Sequence, residues 1–151
     1  MIARLLDRLL ASSPQALPAA DAAQALAALM VRIAHADGEY SAAEITRIET
    51  VLRARLGLDA AAATRLRTEA EALEAEAPDT VRFVRALKEA VPYEDRVTLI
   101  EALWSVALAD GARDADEDRL MRLVAPMLGV TDRDSALARK RAAMAITKPD
   151  G

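Results

Sequence analysis

Cysteine is absent from the 151-residue chain. Disulfides, thiol nucleophiles and cysteine-bound zinc are excluded with it. Histidine occurs once, as His35, and the chain shows no serine–histidine arrangement and no phosphate-cradling glycine loop. Aromatic residues make up 3% of the chain, which argues against a β-sandwich, and five glycines leave room for few, short loops. The longest strongly apolar uncharged stretch, Ala22 to Val31, is too short to span a bilayer. Arg4, Asp7 and Arg8 interrupt the apolar run at the N-terminus, so that run does not read as a signal peptide. A soluble cytoplasmic protein is the expectation. The net charge of −4 disfavours nucleic acid as a partner, because phosphate binding needs a basic face. Arg133, Arg139, Lys140 and Arg141 cluster near the C-terminus and read as a solvated helix face.

What the chain has in abundance is alanine, a large part of its 53% hydrophobic content. Alanine is the best helix former and a poor core filler, so many helices in close contact are expected. The length fits one domain that buries roughly 70% of its unfolded surface.

One stretch occurs twice. Ala36-Asp37-Gly38-Glu39-Tyr40-Ser41-Ala42-Ala43-Glu44 is matched by Ala109-Asp110-Gly111-Ala112-Arg113-Asp114-Ala115-Asp116-Glu117. Asp37 aligns with Asp110, Gly38 with Gly111, Ser41 with Asp114 and Glu44 with Glu117, and the same offset aligns Met30, Ile33 and Ala34 with Leu103, Val106 and Ala107. An internal repeat takes precedence over local readings. Two helix–loop–helix hairpins of like pattern predict a pseudo-two-fold pair packed face to face.

Apolar periodicity and stop signals divide the chain into eight helices. They fall at about 2–12, 19–36, 42–56, 60–76, 80–91, 93–110, 115–129 and 133–146. The first carries Ile2, Leu5, Leu6, Leu9 and Leu10 on one stripe and ends at Ser12-Ser13-Pro14. Leu26, Leu29, Met30 and Ile33 mark the second; Ile45, Ile48, Val51, Leu52 and Leu56 the third. Leu66, Ala70 and Leu73 give the fourth a thin stripe, and the fifth carries Val81, Val84, Leu87 and Val91. The sixth is apolar all round in its second half and is expected to be central. The seventh is expected to bury Leu120, Leu123, Val124, Met127 and Leu128, with Pro126 kinking or shortening it. Ser41 and Glu44 have capping-box spacing, Asp59 suits the start of the fourth helix, and Thr131 or Asp132 that of the eighth. With no strand signal, the fold class is all-α: a single-domain bundle of about seven to eight helices built from two pseudo-two-fold helix–loop–helix repeats. Residues 1–18 form an N-terminal amphipathic helix and linker, 19–146 the helical domain and 147–151 a frayed tail.

The repeated loop admits two readings. In one, Asp37 and Glu44, with Asp110, Asp114, Asp116 and Glu117, supply oxygens to a divalent cation. If the two corners meet, carboxylates about 6 Å apart repel by roughly 3 kcal/mol at an effective dielectric near 20. A cation or an internal arginine, Arg47 or Arg113, would offset that repulsion. In the other reading, the same side chains cap helices and turns, each cap contributing about 1 kcal/mol. The spacing is too short for a twelve-residue EF-hand loop. His35 reads as a helix-end or surface residue, Trp104 and Met30 as core, and Tyr40 and Tyr93 as residues at helix starts.

The second copy, with Arg96, Leu99-Ile100-Glu101, Leu103-Trp104, Val106-Ala107, Ala109-Asp110-Gly111 and Glu117, resembles the tellurite-resistance TerB-like family, as does the first Ala-Asp-Gly corner. The resemblance covers about residues 20 to 146. It implies an all-helical domain, roles in metal or tellurite stress, phage defence or envelope-linked assemblies, and acidic residues that bind a divalent metal. Carried over by position, these are Asp37, Glu44, Asp110, Asp114 and Glu117, with Ser41 standing in the first copy where the second has Asp114. A J-domain cochaperone group shares the domain, but no His-Pro-Asp triplet occurs in this chain.

The expected function is therefore a non-catalytic cytoplasmic binding module of stress response, holding a calcium, magnesium, manganese or zinc ion. The alternative is a metal-independent scaffold that grips a protein or a membrane surface through the acidic loops or the N-terminal helix.

Overall fold

The computed structural model describes residues 19–36, 38–76, 80–109 and 115–147, with the side chains of 19–21, 115–117, 146 and 147 outside that description. Seven helices lie among the described residues and no strand does. They are α1 (Ala19–His35), α2 (Ala42–Leu56), α3 (Ala60–Glu76), α4 (Val81–Ala90), α5 (Tyr93–Ala107), α6 (Ala115–Met127) and α7 (Asp132–Thr147). The N-terminal helix expected over 2–12 falls outside the described residues.

The core is built on α1. Its large residues Leu26, Leu29, Met30 and Ile33 are buried, as their spacing predicts, but so are Ala22, Ala25, Ala27, Ala28, Val31 and Ala34. The helix is enclosed around its circumference because its alanines let neighbouring backbones approach closely. It packs most extensively on α3 and α4, and also meets α2, α5 and α6. The second half of α5 is the other buried segment, with Leu99, Ile100, Ala102, Leu103, Trp104, Val106 and Ala107 all inside. Its main partner is α7. Each half of the molecule thus pairs the first helix of a hairpin with the helix that follows the hairpin.

Local signals set the boundaries. Gly57 ends α2 at φ 68°, in the left-handed region that a side chain would strain. Asp59 Oδ1 accepts the Ala62 N–H at 2.8 Å, and Thr131 Oγ1 accepts the Asp134 N–H at 3.1 Å, so both helix starts are capped as their sequences predict. Between the two candidate caps of α7, Thr131 is the one used. Pro126 sits in the last turn of α6 and shortens the helix, which ends at Met127. Val130 N–H then closes the end on the Ala125 carbonyl at 2.9 Å.

One inward assignment differs from expectation. Leu123 is 54% exposed, and the buried set of α6 is Met121, Val124, Ala125 and Leu128. That set has i, i+3, i+4, i+7 spacing, and Leu123 lies off its stripe. Val81, on the first turn of α4, is likewise exposed, while Phe83, Val84, Ala86, Leu87 and Ala90 face inward.

Two arginines fasten helix ends to the core. Arg32, on the buried helix α1, donates to Glu74 Oε2 and the Glu74 carbonyl, each at 3.1 Å, and to Thr80 Oγ1 at 3.4 Å. Its guanidinium also lies 5.5 Å from the centre of the Phe83 ring. Arg96 donates to the carbonyls of Val91 at 2.8 Å, Lys88 at 3.0 Å and Leu128 at 3.4 Å. These are carbonyls at the C-terminal ends of α4 and α6, of the kind a helix leaves without partners. Arg96→Met removes all three bonds and is expected to destabilise the fold by about 2–3 kcal/mol. Arg96→Lys should recover little of this, because an ammonium cannot span the three positions. Denaturant melts of both variants check it; a lysine variant as stable as wild type would contradict the clamp.

Candidate functional site

The first Ala-Asp-Gly corner joins α1 to α2. After His35 the chain turns through a bond from Gly38 N–H to the His35 carbonyl at 2.9 Å, with Gly38 at φ 83°. It becomes extended at Ser41, φ −74° and ψ 159°. Ser41 Oγ accepts the Glu44 N–H at 3.1 Å, and Glu44 Oε1 accepts the Ser41 N–H at 2.9 Å. The capping box read from the sequence is therefore complete.

Glu44 is 1% exposed and is the only buried acidic residue among the described residues. Its Oε2 is also sealed from solvent. A carboxylate taken out of water is costly unless charge or hydrogen bonds compensate it. Its position in the second half-turn of α2 places it against the positive end of the helix dipole, which is one such compensation.

Tyr40 ties the same corner to α3. Its ring stacks on His35 with centroids 4.4 Å apart, and its hydroxyl donates to Glu71 Oε2 at 2.7 Å. Arg67 bonds both Glu71 and Glu49, the latter at 2.7 Å, so α2, α3 and the corner share one charged network. Burial, and then the hydrogen bond to Glu71, hold the Tyr40 hydroxyl far above the usual tyrosine range. For Arg67, burial works against the charge, but the hydrogen bonds to Glu49 and Tyr40 and the charges of Glu71 and Glu49 outweigh it and raise its pKa. His35 is exposed apart from its ring stack, as a helix-end residue should be.

Of the five residues assigned to a metal from the sequence, Glu44 alone is fully described. Asp37, Asp110 and Asp114 fall outside the described residues, and so does the side chain of Glu117, whose backbone is in the first turn of α6. Arg113 also falls outside, while Arg47 is half-buried on α2. Among the described residues, no group of three histidine, aspartate or glutamate side chains is placed to hold a metal ion. The end of the first corner's entering helix does reach α6. Ala36, which precedes Asp37, lines one groove of about 580 Å³ with Arg119, Leu120, Arg122 and Leu123 of α6. The end of α1 therefore lies beside the helix that the second corner opens.

The role of Tyr40 was not legible from spacing, because its partner is thirty-one positions away on α3. Its place two residues after the glycine of a repeated corner was the available signal. The positions that fix these corners match a known family: a model described as tellurite resistance protein TerB covers residues 23–140. The chain belongs to the TerB tellurite-resistance family. The match runs from the first turns of α1 well into α7 and includes both Ala-Asp-Gly corners. Comparison with curated proteins and with solved structures finds no match. Among the described residues, no helix of this TerB-family chain is long and apolar enough to cross a membrane.

Tyr40→Phe keeps the ring stack and removes the bond to Glu71, which is expected to lower stability by about 1 kcal/mol at neutral pH. Because folding raises the pKa of this hydroxyl, its contribution is complete below the ordinary value of 10.0 and is lost as pH rises beyond it. Melts of both proteins across that range should show the wild-type advantage shrinking above pH 10.0. A constant difference would contradict the tether.

Proposed function

We propose that this TerB-family chain is a non-catalytic module of tellurite or metal stress response that binds a divalent cation where its two acidic corners adjoin. The observation that carries this reading is the groove shared by Ala36 and the middle of α6, which sets the chain before Asp37 beside the helix that follows the second corner. A buried carboxylate at the first corner, Glu44, adds to it, since attraction for a cation grows as water is withdrawn. Carboxylate oxygens suit hard ions such as calcium or magnesium, with manganese and zinc as further candidates. Asp37, Glu44, Asp110, Asp114 and Glu117 are the residues that would hold the ion, and its chemistry there is charge neutralisation and the joining of two helix–loop–helix corners. Cytoplasmic residence belongs to the same proposal.

A second reading is a metal-independent interaction scaffold. The observation favouring it is that Ser41 and Glu44 already satisfy each other in the capping box, while Tyr40 is engaged with α3. The two readings separate in one titration. Calorimetry of calcium, magnesium, manganese and zinc into chelator-treated protein should give saturable heat for at least one ion. Glu44→Gln preserves the hydrogen-bonding shape of the box while removing charge. It and Asp110→Asn should each weaken binding by about tenfold or more. No heat with any of the four ions would favour the scaffold, and heat unchanged in both variants would place the cation elsewhere.

A further inference from the structure

A second recess lies between α6 and α7 beside the only tryptophan of the chain, and Arg122 lines both it and the groove at Ala36. It has a volume of about 650 Å³, within the range of small-molecule sites. Trp104 forms its floor, is 6% exposed, and is fixed by donating its indole N–H to Ser135 Oγ at 3.1 Å. Ala125, Pro126 and Ala136 supply apolar wall.

Two arginines line this recess, Arg122 from α6 and Arg139 from α7. The Arg139 guanidinium lies 5.1 Å from the centre of the Trp104 ring, and its closest acidic contact is Asp118 Oδ2 at 4.0 Å. That separation is beyond hydrogen-bond length. Among the described residues, Arg139 donates no hydrogen bond, and Arg122 makes neither a hydrogen bond nor an ion pair. Arg32, Arg67 and Arg96 each spend several N–H groups on carbonyls or carboxylates, whereas Arg55, like Arg139, makes only a long ion pair, to Glu101 at 3.8 Å. Arg139 is therefore held by its contact with the indole and a long ion pair to Asp118, and its N–H donors remain for a hydrogen-bonding partner in the recess.

We infer that this recess binds an oxyanion-bearing small molecule, with Arg122 and Arg139 holding a phosphate group and Trp104 and the apolar wall receiving the body of the ligand. Guanidinium pairs suit phosphate because they present parallel donors to its oxygens. The volume exceeds what a bare phosphate fills, so a phosphate monoester is the favoured form. Asp118 and Asp132 also line the recess and oppose an anion there. Asp118 competes most directly, since it faces the same arginine that the phosphate needs.

The single tryptophan makes the site directly observable, because emission excited at the red edge, where the two tyrosines do not absorb, reports Trp104 alone. Adenosine monophosphate, inorganic phosphate and adenosine serve as probes of the full chain. Adenosine monophosphate should change the emission saturably, and adenosine should not. Inorganic phosphate binding as tightly as the monoester would identify a free oxyanion as the ligand; weaker binding would identify an organic phosphate. Arg122→Gln, at an exposed position without a structural bond, should weaken the response by about tenfold. Asp118→Asn should strengthen it, an effect that a merely structural role for these residues does not produce. The inference is overturned if neither phosphate-bearing probe changes the emission, if adenosine acts as strongly as its monophosphate, or if Arg122→Gln binds like wild type. Its outcome is independent of the metal titration, which concerns other residues.

Discussion

The enclosure of α1 is the constraint from which the rest of the architecture follows. Ten of its side chains between Ala22 and Ala34 are buried, and alanines alternate with larger residues around it. A helix apolar on every side cannot rest on one neighbour; it must be surrounded. Small side chains let the surrounding helices come close, which replaces the bulk that a core of phenylalanines would supply. The one charged residue within that stretch, Arg32, is tolerated because α3 ends beside it and offers a carbonyl and a carboxylate. Burial of the hub and termination of its neighbour are thus a single arrangement.

The same enclosure fixes the first acidic corner. Since α1 cannot shift without opening the core, its last residues set where the chain turns, and the Ser41–Glu44 box sets the direction in which α2 leaves. Tyr40 and the Arg67 network then bind this corner to α3. A corner held from three sides fixes the placement of Glu44, the one carboxylate it buries. In the second half, α5 and α7 form the corresponding close pair, and Trp104, Ser135 and Arg139 occupy the seam between them. The two halves therefore carry different side chains at their seams: a tyrosine–carboxylate network in one and a tryptophan beneath an arginine in the other.

Local structure was largely legible in the sequence. Gly57, Asp59, Thr131 and the Ser41–Glu44 pair each announce a helix stop or start through chemistry that acts within a few residues, and the structure uses them so. The all-helical class followed from the same signals, and the family from two corners at matched positions. Less legible was anything set by partners distant in the chain. Alanines on α1 gave no sign that the helix would be enclosed, because alanine is at home on either surface. Leu123 read as core by hydrophobicity alone, yet its helix turns another stripe inward. Arg139 read as part of a solvated basic face, whereas it lies over an indole contributed by α5. Of the candidate metal residues, the sequence identified Glu44 correctly as a corner residue but could not show that it would be buried.

Enclosure of α1 ranks the helices by how hard they are to open, and amide hydrogen exchange under native conditions reads that ranking directly. Amides from Ala25 to Ile33 should exchange only through global unfolding, more slowly than those on the outer faces of α3 and α7. Exchange in α1 as fast as in those outer segments would mean that the helix is not enclosed, and the structural account built on it would fail.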